Sequence, residues 1–159
     1  MDYLWTPWRF AYVSTADKTP GCIFCEKAKQ DDREALIVYR GSLCYVLLNL
    51  FPYNSGHVMV VPYAHTGELQ KLPAPAATEM MQLLQKTEGV LRKVYKPEGM
   101  NLGMNIGKFA GAGVADHIHM HALPRWAADT NFVTVVGETR VLPEDLGTTW
   151  QKLRQEYHS

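Results

Sequence analysis

Three histidines at every second position, His117, His119 and His121, alternate with Ile118, Met120 and Ala122 in the segment HIHMHAL. Successive side chains of a β-strand point to opposite faces, so in an extended segment the three imidazoles share one face and the apolar residues the other. Neighbouring imidazoles on such a face stand roughly 6.5–7 Å apart, which lets one phosphoryl group meet two of them. A neutral imidazole offers a lone pair near pH 7. That suits attack on phosphorus, metal ligation or proton exchange, and the pattern alone leaves all three open. Just upstream, Gly107, Gly111 and Gly113 in GKFAGAG allow a backbone that turns its N–H groups toward an anion. A glycine-rich cradle feeding a row of histidines fits nucleotidyl transfer through a phosphohistidine. A second group, Cys22-x-x-Cys25, has a spacing that serves metal binding or dithiol redox chemistry. A redox pair belongs to a thioredoxin-like strand–helix layout, and the rest of the chain does not read that way.

Residues 36–40 and 43–49, rich in β-formers and separated by Gly41-Ser42, read as a hairpin; a turn at 52–56 leads into a third strand at 57–63. Between 75 and 95 the pattern changes to helix. Met80, Leu83, Leu84, Val90, Leu91 and Val94 form an apolar stripe at i, i+3/i+4 spacing, stopped by Pro97 and Gly99. A fourth strand is expected at 100–106, a fifth from His117, and a terminal helix over 143–157. The expected fold class is α+β: about five strands in a mainly antiparallel sheet, one long helix packed on it and a C-terminal helix. The segment to about Lys29 carries Tyr3, Trp5, Trp8, Phe10 and Tyr12 and reads as an irregular packed arm.

With 159 residues the chain reads as one domain over 1–159, residues 1–30 being an arm that bears the Cys-x-x-Cys. Sixteen basic residues balance sixteen acidic ones, so no net positive field favours nucleic acid or an anionic membrane. No apolar run approaches the roughly 20 residues that span a bilayer. The N-terminus lacks the basic start and clean apolar stretch of a leader, so the expected location is cytoplasmic. Three cysteines do not make a disulfide framework, and Cys44 reads as a small buried hydrophobe.

HIHMHAL resembles the His-φ-His-φ-His-φ-φ motif of the histidine triad superfamily, nucleotide hydrolases and transferases. NLFPYNSGHVMVVPYAH, NIGKFAGAGVADHIHMHALPRW and CIFC occur in the order that family shows. LWTPWR, Pro124-Arg125-Trp126 and Asp129-Thr130-Asn131-Phe132 are similar to a bacterial branch near the fragile-histidine-triad enzymes, whose members cleave diadenosine polyphosphates by hydrolysis or phosphorolysis. The resemblance implies that His119 attacks the α-phosphorus, that His121 hydrogen-bonds near the leaving oxygen, and that His57 lies beside the triad. It implies Asn49 for the ribose and Asn105, Gly111, Ala112 and Gly113 for the phosphates. Ile23 and Phe24 are implied for the base, with Trp126 as a second stacking surface. Many relatives carry Ser or Gln where this chain has Gly113, so a side-chain contact to phosphate is lost there.

Zinc-bearing members resemble a Cys22, Cys25, His65, His117 set, a closed structural site; the alternative is two reduced thiols without metal. No magnesium ligands stand out, and a divalent cation such as Mg is expected only in company with the polyphosphate. The resemblance further implies a homodimer or higher homo-oligomer. The expected function is cleavage of dinucleoside polyphosphates, diadenosine tetraphosphate or triphosphate, at the α-phosphate through a nucleotidyl-histidine. Three alternatives accompany it: a nucleoside phosphoramidate hydrolase, a nucleotide-sensing protein with little turnover, and a hydrolase using the histidine row as zinc ligands.

Overall fold

The computed structural model describes residues 21–127, 129 and 142–159. The aromatic residues of the N-terminal arm and Thr130-Asn131-Phe132 lie outside these. Five antiparallel strands form one sheet: β1 (Ile37–Arg40), β2 (Cys44–Leu48), β3 (Val58–Pro62), β4 (Gly99–Met104) and β5 (Met120–Arg125), in the order β1-β2-β3-β5-β4. The helices are α1 (Ile23–Lys27), α2 (Asp32–Ala35), α3 (Ala74–Tyr95) and α4 (Leu146–Tyr157).

Period two divides the sheet residues between two cores. Val38, Val46, Leu48, Val58, Val60 and Ala122 pack with the α3 stripe of Met80, Leu83, Leu84, Val90 and Leu91 and with Leu153 and Tyr157 of α4. Each such aliphatic side chain stabilises the fold by about 1.5–3 kcal/mol through its burial. Ile37, Tyr45, Leu47, Met59 and Val61 point the other way and gather around Phe24. Ile118 and Met120 join the helix-side core, which leaves the alternate histidines to the opposite face.

Three boundaries differ from the sequence reading. The arm is not wholly irregular, because Glu26 N–H bonds the Cys22 carbonyl and opens α1. The terminal helix starts at Leu146, since the Asp145 carboxylate accepts the Thr148 N–H and caps it there, leaving Pro143 outside. The ladder of β5 begins at Met120, opposite Val60, three residues later than expected. Pro62 of β3 has no N–H to extend that ladder, its carbonyl is taken by the His117 ring, and Ile118 N–H turns aside to the Thr66 carbonyl.

The turn before β3 places His57 by means of Gly56, whose φ is +79°. A Cβ there would lie 2.8 Å from the Tyr95 ring and 3.3 Å from Leu91. We expect Gly56→Ala to cost about 2–4 kcal/mol by adding left-handed strain to overpacking. Its thermal midpoint, measured by circular dichroism, falls by roughly 5–15 °C.

A candidate phosphoryl-transfer site beside a cysteine–histidine cluster

His119 Nδ1 lies 2.9 Å from the carbonyl oxygen of His117. A carbonyl only accepts, so Nδ1 carries the proton and Nε2 keeps its lone pair. Among the described residues Nε2 has no hydrogen-bond partner, and it is not sealed from solvent. Burial pushes the His119 pKa down against the opposing pull of that carbonyl, which favours the neutral ring.

The His121 ring stands 4.9 Å from that of His119, centroid to centroid, closer than strand spacing alone suggested. A backbone donor sets its tautomer in two steps. Tyr53 N–H donates to His57 Nδ1 at 3.1 Å, so in the neutral ring the proton is on His57 Nε2, which donates to His121 Nδ1 at 2.9 Å. The His121 proton is therefore on Nε2, and among the described residues that donor is not engaged. A lone pair and an N–H on adjacent rings are what an in-line displacement at phosphorus needs: one attacks, the other hydrogen-bonds the departing oxygen.

Burial, helped by neighbouring His119, pushes the His121 pKa down to about 4. Protons then bind the unfolded chain, with its ordinary value near 6.5, more tightly than the folded one, so acid destabilises the protein. Full stability holds above about pH 7, and this residue alone removes on the order of 3 kcal/mol as pH falls from 6.5 to 4. Urea titrations across that range should show the loss, with a shallower slope for His121→Gln, whose side-chain oxygen can take the same bond from His57.

His117 is tied differently. Its Nε2 donates to the Pro62 carbonyl at 2.8 Å, so Nδ1 is the free ligand atom. That atom lies 3.2 Å from Cys22 Sγ, 3.7 Å from Cys25 Sγ and 3.3 Å from His65 Nδ1, which is itself 3.5 Å from Cys25 Sγ. All four ligand atoms fall within 4.8 Å of one another. Two imidazole nitrogens and two sulfurs converging in this way are the donor set of a Cys2His2 site, so the cluster can hold a metal ion. His119 Nε2 and His121 are not part of it. Cys44 is apart, buried, with its thiol pushed up to about 12 by burial.

The expected substrate side is only partly assembled. Phe24 is 4% exposed and packs on the rings of His119 and His117 at 4.9 and 5.5 Å, while neighbouring Ile23 stands largely in solvent. The Asn49 oxygen accepts the Phe51 N–H, and its amide nitrogen lies 3.5 Å from the His57 ring. Gly111 folds back beside Asn105, whose amide nitrogen is 3.8 Å from where a Gly111 Cβ would be. Gly111 and Ala112 N–H groups are donated within the loop to Lys108 and Gly107, leaving the Gly113 N–H as the open donor among these three. Trp126 lies beyond the end of β5, edge-on to Tyr95. Arg125 and Asn54 both bond Asp129, and the Arg125 guanidinium holds its carboxyl well below the usual carboxylate range. Sequence reasoning missed Tyr53, whose N–H orients His57 and whose ring covers His57 and His121 at 4.7 and 6.3 Å. Its place in the Pro-Tyr-Asn-Ser-Gly turn was the only signal, and a backbone donor leaves no mark on residue type.

Comparison with known proteins places this arrangement. The family model described as HIT domain matches residues 30–128. The chain is 41% identical to the AP-4-A phosphorylase of Mycobacterium tuberculosis over 97% of its own length and 83% of the relative's. It is 33% identical to the bis(5'-nucleosyl)-tetraphosphatase (asymmetrical) of Schizosaccharomyces pombe, over 58% of this chain and 50% of that one. Among solved structures, a zinc-bound histidine triad family protein from Mycobacterium smegmatis superposes with a TM-score of 0.69 at 26% identity, covering 87% of this chain and 94% of that chain. Residues 117–121 lie inside the matched span and the match takes in most of the chain, so this protein belongs to the HIT, or histidine triad, family.

Proposed function

We propose that this chain cleaves dinucleoside polyphosphates, diadenosine tetraphosphate foremost, at the α-phosphate, and passes the nucleotidyl group from His119 to orthophosphate. The observation that carries this reading is the pair of opposite ring states: a free lone pair on His119 Nε2 and a free N–H on His121 Nε2. His119 Nε2 attacks the α-phosphorus, a P–N bond forms and the P–O bond to the leaving nucleotide breaks. The positive charge left on the His119 ring is eased by the His117 carbonyl at its Nδ1–H. A departing phosphate has a second pKa of about 6, so a hydrogen bond from His121 Nε2 suffices and no full proton transfer is needed. In the second displacement an orthophosphate oxygen attacks, the P–N bond breaks and the lone pair returns to Nε2. Orthophosphate is preferred to water as acceptor on the strength of the 41% identical phosphorylase. With Gly113 in place of a Ser or Gln side chain, the loop offers the phosphates a backbone N–H.

The same reading assigns zinc to Cys22, Cys25, His65 and His117. A tetrahedral zinc with bonds of about 2.0–2.1 Å to nitrogen and 2.3 Å to sulfur requires ligand atoms roughly 3.3–3.8 Å apart. The contacts of 3.2–3.7 Å fit it. Bound there, zinc would supply structural crosslinking, since four protein ligands leave no open position for water. No magnesium site is assigned. The outer edge of β4, with Leu102 on the strand and Ile106 just past its end each 47% exposed, supports self-association into a homodimer by edge pairing. No helix among the described residues is long and apolar enough to cross a membrane; a cytoplasmic location belongs to this reading.

Mass analysis of products from diadenosine tetraphosphate in ¹⁸O-labelled orthophosphate tests the assignment. ATP and ADP are expected, with all four labelled oxygens in ADP. Unlabelled AMP with ATP would replace phosphorolysis by hydrolysis, and faster turnover of adenosine phosphoramidate than of the tetraphosphate would overturn the substrate class.

A further inference from the structure

We propose that Phe24 and the main chain of His117 are positioning groups through which the Cys22–Cys25–His65–His117 site sets the pose of the His119 ring. This rests on the reading of His119 as nucleophile and of the cluster as a zinc site. Two paths run from the cluster to that ring. His117 presents Nδ1 to the cluster while its own carbonyl oxygen, 2.9 Å from His119 Nδ1, decides where the His119 proton sits. A shift of His117 therefore moves the acceptor that aims the nucleophile. Phe24 is the second path. It lies between the two cysteines in sequence, and its buried ring is 4.9 Å from the His119 ring at an interplanar angle of 49°.

The segment between the two cysteines has little regular structure of its own. Helix α1 has five residues and no side-chain cap on its Cys22 end, far short of the length at which a helix persists unaided. The Phe24 ring is held on its inner side by Ile37, Tyr45, Leu47, Met59 and Val61, and the buried Tyr45 hydroxyl donates to the Phe24 carbonyl at 2.8 Å. Metal ligation on both flanks of Phe24 would fix the ring as well. Loss of the ion leaves two thiols and two imidazole nitrogens joined by weak S–H···N contacts of 3.2–3.7 Å, which lets His117 and the Phe24 turn shift. The core between the sheet and α3 contains none of these residues, so the disturbance is local. A misplacement of about 1 Å at a reacting atom costs on the order of 100-fold in rate. Metal supply would then set the activity of the enzyme without passing through the chemistry.

The test uses the full ¹⁵N-labelled chain, zinc-loaded, stripped by chelator, and reloaded. Long-range ¹H–¹⁵N spectra at about pH 8, where imidazoles are neutral, report the His119 tautomer without any nucleotide. The loaded protein should show the Nδ1–H form alone. The stripped protein should keep its sheet by circular dichroism, show both tautomers at His119, and form adenylyl-enzyme about 100-fold more slowly in a single turnover, half-saturation changing far less. Reloading restores both. A stripped, folded protein that keeps the single tautomer and a rate within about threefold would overturn the proposal. Phe24→Leu supplies a second arm that keeps all four ligands and decides the matter should stripping unfold the chain. Its zinc content should remain one per chain while His119 ring signals shift and adenylyl transfer slows about tenfold, and unchanged signals and rate would equally overturn it. Ring spectra that respond to zinc in a protein without adenylyl transfer would reject the functional reading and keep the coupling.

Discussion

His119→Gly should lower kcat for diadenosine tetraphosphate by about five orders of magnitude, since removing a nucleophile leaves only binding and electrostatic stabilisation. The size of the effect follows from where the ring stands. In the proposed mechanism its Nε2 carries the nucleotidyl group, and neither neighbour can take over: His121 Nδ1 is occupied by His57 and its Nε2 bears a proton, while His117 Nδ1 faces the thiols. His121→Gln should be milder, about 100-fold, because it removes a hydrogen bond to the leaving oxygen and not the attacking atom. Initial rates, trapping of adenylate on the protein after an alkaline quench, in which a P–N bond survives, and a circular dichroism melt distinguish lost chemistry from lost fold. Turnover within about tenfold of the parent after His119→Gly, or adenylate recovered on a different residue, would sink the mechanism.

Cys25→Ala should abolish zinc binding and lower stability by about 4 kcal/mol or more, a drop in thermal midpoint of roughly 10 °C. Cys25 Sγ lies within contact of both His65 and His117, so its loss opens the tetrahedron on two sides and leaves three ligands. Metal analysis should find one zinc per parent chain and none in the variant, and added zinc should raise the parent's midpoint alone. A parent protein purified without zinc, with a midpoint that zinc does not move, would refute the assignment.

Much of this site could be read from residue order because it rests on a two-residue period. Ile118, Met120 and Ala122 do meet the α3 core, so the histidines between them had to face the other way. The pairing of Cys-x-x-Cys with His65 and His117 was readable only through family resemblance. The cysteines stand 40 to 95 positions from the histidines they meet, and the pairing of β3 with β5 brings His65 and His117 together while the first helix carries the cysteines to them. The start of β5 was misjudged because the residue that interrupts the ladder, Pro62, belongs to a different strand. The loop was read as a cradle of amides from its glycines, yet the Gly111 amide and that of neighbouring Ala112 are consumed by its own turn. Hydrogen bonds inside a loop depend on its dihedral angles, which glycine leaves open.

Residue chemistry and periodicity were enough to say that imidazoles would line one face of a strand, next to a turn of small residues, in a chain with no charge bias toward polymers. They could not say which nitrogen of each ring would be available. Three identical side chains acquire three uses because each meets a different backbone group: Pro62 carbonyl for His117, His117 carbonyl for His119, and, relayed through His57, Tyr53 N–H for His121. Every residue type but proline carries the same carbonyl and N–H, so these partners are invisible in one dimension and exist only once the strands and turns have packed.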